Sequence, residues 1–388
     1  MKMFRKLSVV LLAFTLVSCA AIKQKLEGLG TSDTTFNLVM DNGKSGLETK
    51  EKIYKVIKSM VGPSSTVIVY DASGSMHYET PVGEDSAKKV QKRYELAYQG
   101  LTKVAEIFDQ NDKVWLLVFG TKVPYELSEG RSLKDINFEK AFRTHSDIVQ
   151  VYGEKDAGYN RDKFMSAIRF LKSGNAYIGD TPIGYSVVKA TALLESKPNA
   201  KIVLITDGQE TSPVLAKAIA GKKSREKKLK AKYPDYNDIL ISASEALERA
   251  VQKKIHFTPI LCGLKSITKN RTTTDKEVAE TRAFYENLAH ETGSAALEAS
   301  SSEGLASAVM DAEAASLTYE IFKGDLPEQK VAEGKAGVPL NLDPGNYRLV
   351  VNTVPRIETE ITVREHTANV YVLKSAEGGA AMKVVPSE

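Results

Sequence analysis

An α/β fold, doubly wound around a mainly parallel sheet and followed by a small C-terminal antiparallel β-sandwich-like domain, is what this 388-residue sequence predicts. Three observations carry the expectation. From residue 65 to about 316, short apolar runs alternate with segments of helical periodicity. Those runs have no polar face, so both sides of their strands must be covered, as in a parallel sheet with helices on both faces. Near Leu317 the pattern changes: Leu317, Tyr319 and Ile321 alternate with Thr318 and Glu320, and Asp343-Pro344-Gly345-Asn346 marks a turn.

Taken in order, residues 1–18 read as a signal peptide. Lys2, Arg5 and Lys6 form a basic start, and Leu7–Leu16 is apolar but too short to span a bilayer. Residues 19–64 read as a tether and an amphipathic helix. Gly28, Gly30 and Thr31–Thr35 have loop composition, whereas Ile53, Val56, Ile57 and Met60 recur at helical spacing before Gly62-Pro63. Thr66–Tyr70 then opens the α/β region, 65–316, as a buried strand. Tyr94, Ala97, Tyr98, Leu101, Val104, Ala105 and Phe108 mark one helix face, and Val114–Phe119, closed by Gly120, is a second strand. Residues 121–178 are long for one connection, and long connections in compact domains are often functional. They carry Tyr152, Tyr159 and Tyr177, which are contact residues or a small core of the insertion itself.

Helix Ile183–Leu194, strand Lys201–Thr206, helix Ala243–Val251, strand Phe257–Leu264, helix Val278–Ala289 and a short strand Ala295–Leu297 follow. Residues 217–232 hold Lys217, Lys222, Lys223, Arg225, Lys227, Lys228, Lys230 and Lys232 against one acid, Glu226. Such a run is a solvated helix face or a contact for anionic lipid or an acidic partner. Residues 317–375 form the small β domain, and 376–388 read as a loose tail.

The net charge of +4 is too mild to argue for nucleic-acid binding. Only two cysteines exist, Cys19 and Cys262. Leu16-Val17-Ser18-Cys19 resembles a bacterial lipobox, which implies cleavage before Cys19 and acylation of its thiol. The acyl chains would tie the protein to a membrane, each CH₂ adding about 0.8 kcal/mol. Ala20 stands where a retention aspartate would keep an enteric lipoprotein at the inner membrane, so the resemblance favours the outer membrane, facing periplasm or surface. Cys262, left without a partner, reads as a small buried hydrophobe in an apolar run.

The chemistry concentrates at three loops. Asp71-Ala72-Ser73-Gly74-Ser75 follows the first buried strand, Gly179-Asp180-Thr181-Pro182 precedes a helix, and Asp207-Gly208 follows the third strand. In a parallel sheet all strand C-termini share one edge, so the loops can converge. Aspartate, serine and threonine all present oxygen, the donor that hard cations such as Mg²⁺ prefer. Other site chemistries are missing: no His-Glu-x-x-His, no G-x-S-x-G elbow and no G-x-G-x-x-G occur.

D-x-S-x-S, a threonine in a Gly-x-Thr-Pro turn and Thr206-Asp207-Gly208 after a strand together resemble the von Willebrand factor A domain and its metal-ion-dependent adhesion site, over roughly residues 65–315. The resemblance implies that Ser73, Ser75 and Thr181 ligate Mg²⁺ (or Mn²⁺ or Ca²⁺) through hydroxyls. Asp71 and Asp207 would hold the ion mainly through water and through those hydroxyls. It further implies that an exposed Asp or Glu of a protein partner completes the coordination. The expected function is a lipid-anchored binding protein of the bacterial cell envelope and not an enzyme. The alternatives are an envelope scaffold with a purely structural metal and a metal-dependent hydrolase.

Overall fold

The computed structural model describes residues 34–40, 47–82, 89–120, 148–153, 158–177, 179–208, 210, 223–232, 236–268, 271–292, 294–314, 317–323, 329–337, 339–353, 356–375 and 382–387. The signal peptide, Cys19 and most of the expected tether lie outside the described residues.

The chain forms β1 (Thr35–Met40) and α1 (Leu47–Val61) before entering its main sheet. That sheet contains β2 (Ser65–Asp71), β3 (Lys113–Phe119), β4 (Ile148–Tyr152), β5 (Ala200–Thr206), β6 (His256–Cys262) and β7 (Leu297–Ala299). Their order is β7-β6-β5-β2-β3-β4, parallel except for the β3–β4 pair. The longer helices are α2 (Arg93–Val104), α3 (Arg161–Ile168), α4 (Ile183–Leu194), α5 (Lys223–Lys232), α6 (Ala243–Gln252), α7 (Asp275–Glu291) and α8 (Ser302–Ala314).

Alternation along each strand divides the core in two. Ile68, Tyr70, Leu116, Val118, Val203 and Ile205 face Leu96, Leu101, Phe164 and Val309 of α2, α3 and α8. Val67, Val69, Leu117, Ile202 and Leu204 face Val187, Leu194, Leu247 and Leu288 of α4, α6 and α7. Both faces are therefore apolar and covered, which is why the strands read as unbroken hydrophobic runs. The last strand lies two residues later than Ala295–Leu297.

Within 121–178, β4 adds an antiparallel edge strand and α3 covers it; residues 121–147 lie outside the described ones. The three tyrosines belong to the core. Tyr159 and Tyr177 are buried, and Tyr152 packs edge-on to Tyr159 and Phe164. Of the basic run, α5 is described. Lys227, Lys228 and Lys230 are exposed on it, and Lys230 pairs with Glu226 at 2.9 Å and lies over the Tyr236 ring.

The second unit is a sandwich of two four-stranded sheets. One has the order β9-β8-β11-β12, from β8 (Thr318–Lys323), β9 (Gln329–Lys335), β11 (Gly345–Val351) and β12 (Ile357–Val363). The other has β1 between β10 (Leu340–Asn341) and β13 (Ala368–Ser375), with β14 (Met382–Pro386) at its edge. Two expectations are corrected here. Thr35–Met40, expected in the tether, pairs parallel with β13 over six residues. Met382–Pro386, expected in the loose tail, pairs with β13 antiparallel.

The reason is burial. Phe36 and Leu38 alternate into the sandwich core and are fully buried there beside Tyr319, Ile321, Leu349 and Leu373. Phe36 meets Tyr319 edge-on at 5.5 Å between ring centres. The α/β region thus lies between strands of one sandwich in sequence. Ile57 of α1 and Ala314 of α8 enter the same core, and a buried pair, Lys201–Glu313 at 3.0 Å, lies beside Thr66, which donates to Glu313 Oε1 at 2.6 Å.

Two outcomes follow. Phe36→Ala should cost about 3–5 kcal/mol in urea unfolding, the loss of a buried aromatic; a cost under about 1 kcal/mol would mean that β1 is not integral to the sandwich. The second concerns His256, which stands 3.2 Å from Lys335 Nζ, while that ammonium donates to Thr292 O. Its pKa is pushed down from 6.5 to about 4, first by burial and then by Lys335 and Lys201. The unfolded chain therefore binds the proton more readily. This contribution is full above the ordinary histidine pKa and is lost as pH falls from 6.5 towards about 4. His256→Gln should flatten the dependence of the melting temperature on pH across that window.

Candidate metal centre

The strand order reverses beside β2: β3 flanks it on one side and β5 on the other. A crevice opens at the carboxyl ends of strands where such a reversal occurs. β2 ends on Asp71 and β5 on Thr206, so the sheet places Asp71 and Asp207 at neighbouring strand ends. Asp71 makes the turn after β2. Its Oδ1 accepts from Ser73 N at 2.7 Å, the local bond by which a short carboxylate replaces strand pairing. A single 3₁₀ turn, Gly74–His77, carries Ser75 onward.

The hydroxyls and carboxylates form one hydrogen-bonded chain. Ser73 Oγ and Ser75 Oγ are 3.0 Å apart, and Ser75 Oγ donates to Asp207 Oδ1 at 2.8 Å. Thr206 Oγ1 donates to Asp71 Oδ2 at 2.6 Å. Thr181 arrives on a third loop and is buried. Gly179, two residues before it, forms a bridge with Ser73, and Gly74 N donates to Gly179 O at 3.0 Å. The structure thus links Asp71, Ser73, Ser75 and Asp207 directly and joins the Thr181 loop to them through its backbone.

Asp71 has no solvent exposure. Burial, then the nearby Asp207 charge, pushes its pKa up from 3.8 to about 7 against the opposing pull of Ser73 and Thr206. Cys262 is buried and free, and burial raises its thiol pKa, so it offers no thiolate.

Three contributors escaped the sequence reading. Arg93 is buried, and its Nη1 donates to Asp207 Oδ2 at 2.6 Å. One signal for it existed: a cation at the first position of a helix opposes the helix dipole and needs a partner. Glu210 accepts from Gly184 N at 2.8 Å and from Ala243 N at 3.0 Å, so one carboxylate holds the N-termini of α4 and α6. Tyr285 OH donates to Gly208 O at 2.5 Å and fixes the loop after β5.

The donor set fits a small hard cation. Oxygens about 2.1 Å from one octahedral ion stand about 3 Å apart along each edge. The Ser73–Ser75 spacing of 3.0 Å has that value, and Asp207 accepts from Ser75 behind it at 2.8 Å. Ser73, Ser75 and Thr181 would supply hydroxyls to the ion, and Asp71 and Asp207 the negative charge behind them. Among the described residues no group of three or more His, Cys, Asp or Glu could hold a metal. The candidate centre rests on hydroxyls.

The described residues define a mixed α/β protein with a largely parallel sheet and a separate sandwich that is antiparallel except for the β1–β13 pair. No family model and no curated protein matches the chain. Similar solved structures include the pilus adhesin SpaC from Lactobacillus rhamnosus GG, at 11% identity and a TM-score of 0.37 over 80% of this chain. The chain spans 45% of that adhesin's length. A von Willebrand factor type A protein from Catenulispora acidiphila matches at 13% identity and a TM-score of 0.34, covering 80% of this chain and 67% of that one. PilB minor pilin from Streptococcus sanguinis matches at 15% and 0.36, covering 65% and 60%. These scores are too low to carry an argument about function.

Gly120 ties the second strand to this centre. It has a φ of +76°, and a Cβ there would lie 2.7 Å from Ser73 N. Its carbonyl accepts from Gly179 N at 2.7 Å. Gly120→Ala should therefore lower stability by about 1–3 kcal/mol through backbone strain, measured by urea unfolding. A neutral result would mean that the three loops do not meet as tightly as described.

Proposed function

We propose that this chain is a lipid-anchored binding protein of the bacterial cell envelope, held to the outer membrane through Cys19. In this reading it uses a divalent cation, Mg²⁺ or in its place Mn²⁺ or Ca²⁺, to engage an acidic residue of a protein partner. The single observation that carries the reading is the run of oxygens Ser73–Ser75–Asp207 at the reversal point of the sheet, tied to Asp71 through the Ser73 backbone N–H. A bound ion would offer a Lewis-acidic position to an incoming carboxylate. The chain's own part is to hold two serine hydroxyls at coordination spacing and to keep both carboxylates behind them. Neutral hydroxyls quench little of an ion's charge, so the attraction for a partner's Asp or Glu persists. No reaction step is part of this reading, and nucleic acid is not among the partners.

Capture from envelope extract by the full chain, with Mg²⁺ and with EDTA, tests it beside thermal melting under both conditions. Partner capture should be lost in EDTA and in Ser75→Ala, with a small change in melting temperature. A large melting drop with unchanged capture would instead support a scaffold stabilised by a structural metal.

A further inference from the structure

Arg93 puts a cation into the loop cluster in advance. Its side chain is buried, Nη1 donates to Asp207 Oδ2 at 2.6 Å and Nη2 to Leu264 O at 2.9 Å. Among the described residues its buried Nε has no hydrogen-bond partner. The other oxygen of Asp207 accepts from Ser75 at 2.8 Å. The Asp207 carboxylate therefore stands between the hydroxyl pair and the guanidinium. A buried cation with an idle donor, at the helix end where the dipole disfavours it, is costly to keep. Its offset is the pairing with Asp207, which would otherwise lie near Asp71 as a second buried negative charge.

We infer that Arg93 is the fixed counter-cation of the site: it holds the Asp207 loop in place when no divalent ion is bound, and it weakens that ion's binding by repelling it. This rests on reading the cluster as a divalent-cation site and says how that site is regulated. With both aspartates ionised, Asp71, Asp207 and Arg93 together carry one formal negative charge. A divalent ion added to them leaves one positive charge, which one partner carboxylate neutralises. Without Arg93 the two aspartates would neutralise the ion by themselves. Arg93 thus moves affinity away from the metal alone and towards the metal with its acidic partner.

Calorimetric titration of Mg²⁺ and Mn²⁺ into the full chain tests this in the wild type, Arg93→Gln and Arg93→Lys. Arg93→Gln should bind the ions about tenfold or more tightly. Arg93→Lys, which keeps the charge but loses the fork to Asp207 and Leu264, should bind the ions less tightly than Arg93→Gln. Arg93→Gln should also melt lower without Mg²⁺ and recover with it. Equal affinities for wild type and Arg93→Gln would overturn the inference and leave the cation site standing. A wild type that binds no ion beside an Arg93→Gln that does would support the counter-cation role and sink the proposed metal-dependent function. No binding by either would sink both. Should Arg93→Gln fail to fold, arginine side-chain NMR of the wild type decides: its guanidinium resonance should shift on saturation with Mg²⁺, and an unmoved resonance overturns the inference.

Discussion

The Asp71 carboxylate, wholly buried where the central strand ends, is the constraint around which the loop cluster is arranged. A charge with no access to water must be surrounded by donors or lose its ionisation. Ser73 N and Thr206 Oγ1 supply those donors from two different strand ends. Satisfying this one group therefore fixes the turn after β2 against the end of β5. Ser75 then falls onto Asp207, and Arg93 onto the far side of that carboxylate. Asp207 in turn raises the cost of ionising Asp71. The site is thus a set of opposing charges in low dielectric, sensitive to any cation placed among them.

The strand-end acids were legible because their positions follow from periodicity, whereas the hydroxyls of Ser73, Ser75 and Thr181 were singled out by a resemblance of motif. Asp71 and Asp207 each end a run of apolar residues, and a strand that must be buried also says which edge its last residue reaches. Arg93 and Glu210 were not legible in this way. Arg93 belongs to the Tyr94–Phe108 helix in sequence and meets Asp207 only across the fold, at a separation of 114 residues. Glu210 acts on the N-termini of two helices, and nothing in the local pattern names which helices.

The same distinction explains the fold. The sheet was legible in its strands, while its antiparallel edge β4 was hidden inside a long mixed segment. β1 was missed because it begins inside Thr31–Thr35, which have loop composition, and is six residues long. Its alternation, Phe36 and Leu38 inward, gains meaning only once a second sheet exists to receive it. The tyrosines at 152, 159 and 177 show the converse case. Aromatic residues in a polar stretch suit a contact surface or a core equally, and only packing separates the two.

The split sandwich has a consequence for how the chain is made. β1 is among the first described segments to be synthesised, yet its sheet partner β13 is among the last. The backbone of His366 donates to Thr34 across 332 positions of sequence. Until the C-terminal strands arrive, Phe36 and Leu38 have no core to enter and the strand exposes two unpaired edges. Pairing so distant in sequence is slow and leaves sticky surface open until both ends of the chain are present. The α/β region can complete its own core in that interval, and the sandwich closes around its two ends last. A chain ending after residue 316 would thus keep the α/β region and carry β1 as an orphan strand, with Phe36 and Leu38 uncovered.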